Sequence, residues 1–135
     1  MKIAMAPNST GRNDNPFLSI LKAGLAEWGW RTVRPKLFCG GVEALHVHWL
    51  EGPIWGRFAS RLPVLAELRV LRICQTAQRL RRRGQPVVWT VHNLAPHDFA
   101  STRHKRLYSA MISGFLPQVT DVICMSETVR TQVRE

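Results

Sequence analysis

Short apolar runs alternate with segments of helical periodicity along the whole chain, and few folds accommodate that pattern. Val87-Val88-Trp89-Thr90-Val91 is the clearest run. It consists of β-branched and aromatic residues without a break and is bounded by Gln85-Pro86 and a polar loop, as suits a buried parallel strand. Ile3 to Ala6, stopped by Pro7, suits a first strand. Arg31 to Leu37 suits a second, with Pro35 near its end. Ala44 to Trp49 suits a third, and Val122 to Met125 a fifth.

Between them lie helical patterns. Asn15-Pro16 offers a cap and a first-turn proline, and Phe17, Ile20, Leu21, Gly24, Leu25 and Trp28 then recur at helical spacing up to Gly29. Ile54 to Arg83 reads as long and helical, broken near Pro63. Lys105 to Leu116 is a third helix, stopped by Pro117. Ser126 caps a last one that runs to Glu135. Strands alternating with helices predict an α/β fold, a doubly wound, Rossmann-like parallel sheet covered on both faces. Residues 1–135 suit one domain.

In such a sheet, ligands bind beyond the carboxyl ends of the strands. Four polar loops fall there: Pro7 to Asn15, His48 to Pro53, His92 to Asp98, and Ser126-Glu127. The first contains Gly11 but no GxGxxG fingerprint, and no GxxxxGK[ST] loop occurs anywhere. That speaks against a dehydrogenase-type dinucleotide site and against a P-loop. Asn8 to Asn15 either offers backbone N–H groups to a sugar or phosphate, or simply caps the helix at Asn15. His46 and His48 share a face by alternation. They read as a metal pair or, without a third ligand nearby, as one core histidine and one loop histidine. His92, His97 and Asp98 are the right types for acid–base work on a sugar hydroxyl, with Asp98 able to orient an imidazole. They could equally cap the next helix and hold the loop closed.

Net charge is +10 and the isoelectric point about 11.0, which points to an anionic partner: nucleic acid, an anionic membrane surface or phosphorylated small molecules. On the helix after Pro63, Ala66, Val70, Ile73, Cys74, Ala77 and Leu80 share one face. Arg69, Arg72, Arg79 and Arg83 gather to another side, and Arg81-Arg82-Arg83 crowds the last turn, where the helix dipole favours cations. Arg57 and Arg61 extend this strip, and Arg103, Lys105 and Arg106 form another cluster. The strip is either a solvated face or a dock on anionic lipid. Cys39, Cys74 and Cys124 lack CxxC or zinc-type spacing and read as reduced, buried residues. No signal peptide and no transmembrane segment is legible, so a cytoplasmic protein is expected.

Asn15-Pro16-Phe17 opening a helix, His46-Val47-His48-Trp49 ending a strand, Val88-Trp89-Thr90-Val91-His92-Asn93 with Pro96-His97, and a closing strand into Ser126-Glu127 follow one another in order. Together they resemble the N-terminal, acceptor-side domain of GT-B glycosyltransferases that build bacterial exopolysaccharide on lipid carriers. The Trp-Thr-Val-His-Asn and Pro-His portions are the specific part.

The resemblance implies transfer of a hexosyl unit from a UDP- or GDP-sugar to a lipid-linked saccharide acceptor, with no cofactor and no metal. It places His92 at the cleft, with His97 and Asp98 as second choices. Asn15, His48, Trp49, Asn93, Ser126 and Glu127 are the expected substrate-binding residues. Arg69, Arg72, Arg79, Arg81, Arg82 and Arg83 would face the inner surface of the plasma membrane. The family's donor-binding domain is not among these residues, so the isolated chain is expected to need a donor domain or subunit. The rival reading is a non-catalytic basic α/β module for nucleic acid or anionic membrane. Specific nucleic-acid binding is not expected, since no RNP-like strand or recognition-helix motif is present.

Overall fold

The computed structural model describes residues 1–7, 15–35, 41–52, 54, 63–92 and 101–134. Five strands form one sheet: β1 (Lys2–Ala6), β2 (Arg31–Val33), β3 (Ala44–Val47), β4 (Val87–Val91) and β5 (Asp121–Cys124). Its order is β2-β1-β3-β4-β5, and every pairing is parallel. The helices are α1 (Pro16–Glu27), α2 (Pro63–Arg82), α3 (Thr102–Phe115) and α4 (Glu127–Arg134). This is the α/β, Rossmann-like arrangement expected from the alternation. From β1 the chain goes to β2 on one side and then to β3 on the other. The order therefore reverses between β1 and β3, where open α/β sheets hold ligands.

The two faces are sorted by alternation along each strand. Ala4, Ala6, Leu45, Val47, Val87, Trp89 and Val91 pack with Val70, Ile73, Ala77 and Leu80 of α2 and Met111 and Phe115 of α3. The apolar stripe of α2 is the one anticipated, with Ala66 also buried and Cys74 half-buried. Ile3, Met5 and Ala44 face the other way onto Leu18 of α1, flanked by Phe17, Leu21, Leu25, Trp30 and Trp49.

Helix ends follow local chemistry. The Asn15 side-chain oxygen accepts from the Phe17 N–H at 3.0 Å and starts α1. At the other end Gly29 takes φ of 76°, Gly29 N–H reaches the Ala26 carbonyl and Trp30 N–H the Leu25 carbonyl, both at 2.9 Å. That pair of bonds satisfies carbonyls the last turn leaves open. Gly84, at φ of 67°, closes α2 in the same way through Arg81 and Leu80.

Several boundaries differ from expectation. β2 stops at Val33, two residues before Pro35, which has no N–H to give a ladder. Ile54 is not helical: its N–H bonds the Glu51 carbonyl at 2.9 Å in a turn, and its side chain is buried in the core. α3 starts at Thr102 rather than Lys105, because the Ser101 hydroxyl accepts from the His104 N–H at 3.3 Å. Cys74 and Cys124 are half-buried rather than buried; Cys39 lies outside the described residues. The sheet is also not fully covered at β5, where Val122, Ile123 and the adjoining Met125 are 43%, 45% and 50% exposed.

α2 and α3 meet closely at Gly114. A Cβ there would lie 2.8 Å from Cys74 Sγ and 3.3 Å from Cys74 Cβ. Gly114→Ala gains up to about 1 kcal/mol of helix propensity. Against this, overpacking a rigid one-carbon side chain costs about 1–3 kcal/mol. We expect a net loss, read as a Tm lowered by a few degrees, and partial recovery in the Gly114→Ala/Cys74→Ala double variant.

Candidate functional site

β3 and β4 lie side by side, with His46 opposite Val88 and Val47 opposite Trp89. In β3 the α1-facing positions are Ala44, His46 and then His48, whose N–H prolongs the ladder by bonding the Ala6 carbonyl at 2.9 Å. In β4 they are Val88, Thr90 and His92. Two strands in one register thus stack three imidazoles on a single face at the carboxyl end of the sheet, beside the point where the strand order reverses. Trp89, in contrast, is turned to the α2 side and is core.

The innermost histidine is structural. His46 is 6% exposed, and its Nε2 meets the Thr90 hydroxyl at 2.8 Å. His48 comes next, its ring centroid 4.2 Å from that of His46 and 5.9 Å from that of His92. It is 1% exposed, and neither ring nitrogen has a hydrogen-bond partner among the described residues. A buried imidazole always carries at least one N–H, so His48 holds an unmet donor where such groups are uncommon.

His92 is half-buried at the mouth of the cluster. Trp49 lies flat against it, centroids 4.3 Å apart and planes 14° from parallel. Phe17, from the first turn of α1, presents its edge to both His48 and His92 at 5.6 Å. The helix places that ring because the Asn15 cap fixes where α1 begins.

Electrostatics keep the cluster neutral. Burial, and then the neighbouring His92, lower the pKa of His46 to about 4. Burial, followed by His46 and His92, takes His48 to about 3. His92 is lowered by burial. Desolvation penalises each imidazolium, and the rings would repel one another if charged. At neutral pH all three are therefore uncharged, able to accept or donate a hydrogen bond. No metal-ligating group of three or more histidine, cysteine or acidic side chains occurs among the described residues.

Of the expected site residues, His48, Trp49 and His92 come together. Asn15 is at the start of the helix that brings Phe17 in, its oxygen used for the cap. Ser126 and Glu127 are elsewhere: the Ser126 hydroxyl accepts from the Val129 N–H at 3.2 Å, and Glu127 pairs with Arg130 at 3.3 Å. They follow β5, two strand spacings or about 10 Å from β3. Asn93, His97 and Asp98 lie outside the described residues.

Phe17 and Thr90 are additions. Helical periodicity reads Phe17 as core, and Thr90 reads as one more β-branched strand residue. The bond from Thr90 to His46 depends on the β3–β4 register, which is not local information. The basic strip is on α2, where Arg81, Arg82 and Arg83 are exposed while Arg69 and Arg72 are half-buried, with Arg72 Nε enclosed. Val64 and Leu71 lie on the outer side of the same helix, 61% and 46% exposed.

No protein-family model matches the chain, and no solved structure does. Two curated proteins of Xanthomonas campestris pv. campestris do, both GDP-mannose:glycolipid 4-beta-D-mannosyltransferases. The identity is 32% over 101 residues, covering 70% of this chain and 27% of each relative. The chain thus spans about a quarter of the length of the curated relatives it matches. The expected resemblance holds at this level: over most of its length this chain is a relative of a glycosyltransferase.

Proposed function

We propose that the chain is the acceptor-side domain of a glycosyltransferase. The complete enzyme moves a hexosyl unit from a nucleotide sugar, a UDP- or GDP-sugar, to a lipid-linked saccharide in polysaccharide synthesis. Its donor-binding domain lies outside these 135 residues, and the chain alone does not turn over. The similarity to glycolipid mannosyltransferases carries this reading, and GDP-mannose is the donor it favours. The neutral cluster at the reversal point supports it. His48 provides an unmet hydrogen-bonding group, His92 a base at the mouth, and Trp49 an aromatic surface covering one face of His92. Asn15, Asn93, His97, Asp98, Ser126 and Glu127 are the further acceptor-binding candidates of this reading, with His97 and Asp98 as alternative bases.

The same reading puts the domain on an anionic membrane, at the inner face of the plasma membrane, because the acceptor is anchored there. No described helix is long and apolar enough to cross a membrane, so contact would be peripheral. Exposed Val64 and Leu71 beside Arg69, Arg72, Arg79 and Arg81 to Arg83 give α2 the mix of apolar and basic groups that interfacial helices carry. Replacing Arg81, Arg82 and Arg83 by Gln removes three charges. At roughly 1 kcal/mol each, vesicle affinity should fall about 100-fold. Sedimentation with vesicles containing 30% anionic lipid, roughly the regime of cytoplasmic leaflets, reads this out. Tight, steeply salt-dependent binding to nucleic acid with no vesicle binding would instead favour a nucleic-acid module.

A further inference from the structure

We infer that Trp49 is a positioning residue for His92, holding its imidazole in one plane and shielding it from water at the mouth of the histidine cluster. The inference deepens the proposed acceptor site and rests on it for the claim that His92 meets substrate. The geometry itself does not depend on that reading.

An imidazole at the end of a strand has two rotatable bonds and, half-buried, few steric reasons to choose one rotamer. Here its ring is enclosed by two aromatic surfaces with different roles. Trp49 covers a face, with centroids 4.3 Å apart and planes 14° from parallel. Phe17 meets the ring edge-on, at 5.6 Å and 86°. A face contact and a perpendicular edge contact together fix both the plane of the imidazole and its rotation about Cβ–Cγ. No hydrogen bond through Nε2 does so: that nitrogen of His92 has no partner among the described residues. Aromatic pairs of this kind contribute about 0.5–1.5 kcal/mol beyond the area they bury, sufficient to favour one rotamer by several-fold.

Trp49 is held for this task from its own side. It packs against the α1-face cluster of Ile3, Met5, Leu18 and Ala44. Its carbonyl accepts from Gly52 N–H at 3.1 Å, closing the turn that carries the chain away from β3. The indole is thus anchored by the turn that follows β3, whereas His92 directly follows β4. The positioning crosses two strands.

Among the described residues, the groups around His92 that bear on its protonation are His48, at 5.9 Å between ring centroids, and His46 beyond it; Phe17 and Trp49 are uncharged. No neighbour in this set favours an imidazolium by charge, so any rise in its basicity on removing the indole reports access of water.

The test is a proton–carbon NMR titration of the histidine rings in the 135-residue chain, with His92 assigned from a His92→Gln spectrum. In the native chain the His92 Cε1–H resonance should be shifted upfield by the indole ring current and should titrate below 6.5. In Trp49→Phe the shift should shrink and the midpoint hold, because a smaller ring still covers the face. In Trp49→Ala the upfield shift should vanish and the midpoint rise toward 6.5, while His46 and His48 stay protected.

An unchanged His92 resonance in Trp49→Ala would overturn the inference. So would a simultaneous release of all three histidines, since Trp49 would then be holding the core rather than one ring. Neither readout involves sugar transfer. Failure of the proposed contact between His92 and substrate would appear as undiminished transfer in His92→Ala, with the titration behaviour of Trp49 variants unaffected.

Discussion

His92→Ala in the full-length enzyme should lower the rate of sugar transfer by roughly 10²–10⁴-fold, the range general-base groups contribute. The fold should survive. His92 is half-buried, sits after the last residue of β4 and forms no hydrogen bond through Nε2 among the described residues. What the folded state loses is ring contact with Trp49 and Phe17, on the order of 1 kcal/mol. His92→Gln is the sharper variant. It keeps a polar group at the mouth but cannot take a proton near neutral pH, so loss in Gln as well as Ala identifies proton transfer rather than hydrogen bonding. Near-native transfer by either variant would remove His92 from the reaction and turn attention to His97 and Asp98.

Acid should destabilise the domain well before its carboxylates titrate. His46 and His48 have folded pKa values of about 4 and about 3 against an ordinary 6.5. The sign follows from the lowered values. Above 6.5 both states are neutral and the full stability is present. As pH falls below 6.5 the unfolded chain takes up protons that the folded chain refuses until about 4. Stability is then lost at up to about 1.4 kcal/mol per pH unit for each histidine. For the two together this is on the order of 3 kcal/mol at pH 5.5, a large share of the 5–15 kcal/mol typical of a domain.

Denaturant melts at pH 7.5 and 5.5 measure it, and His48→Phe supplies the control. Because neither ring nitrogen of His48 is hydrogen-bonded among the described residues, an apolar ring there should cost little at pH 7.5. It should also remove about half of the acid sensitivity. An equal pH dependence in His48→Phe and native protein would show that the sensitivity lies elsewhere.

The fold was legible because its signals are local. Val87 to Val91 is an uninterrupted run of β-branched and aromatic residues. Asn15-Pro16 caps a helix whichever way it later packs, and Gly29 and Gly84 close helices through a conformation glycine adopts without strain. The element order follows from these alone.

The site was half legible, for the complementary reason. Alternation puts His46 and His48 on one face, and the end of a strand marks His92 as a ligand-side residue. Whether those three meet depends on strand order and register, which pairing alone sets. Neither Phe17 nor Thr90 carries a local mark of its role. The same limit applies to β5: Val122 and Ile123 read as interior strand residues, yet their exposure depends on what the surrounding chain covers. Ser126 and Glu127 carry two local signals at once: they follow a strand, where ligands bind, and they also form a helix cap and an i, i+3 ion pair.

An acceptor titration tests the central claim most directly. A lipid-linked oligosaccharide diphosphate in detergent micelles, and separately GDP-mannose, would be added to the 135-residue chain while the ring signals of His48, His92 and Trp49 are followed. An acceptor-side domain predicts that the lipid-linked saccharide shifts these signals saturably and that the nucleotide sugar leaves them in place. Saturable shifts with GDP-mannose and none with the acceptor would contradict it.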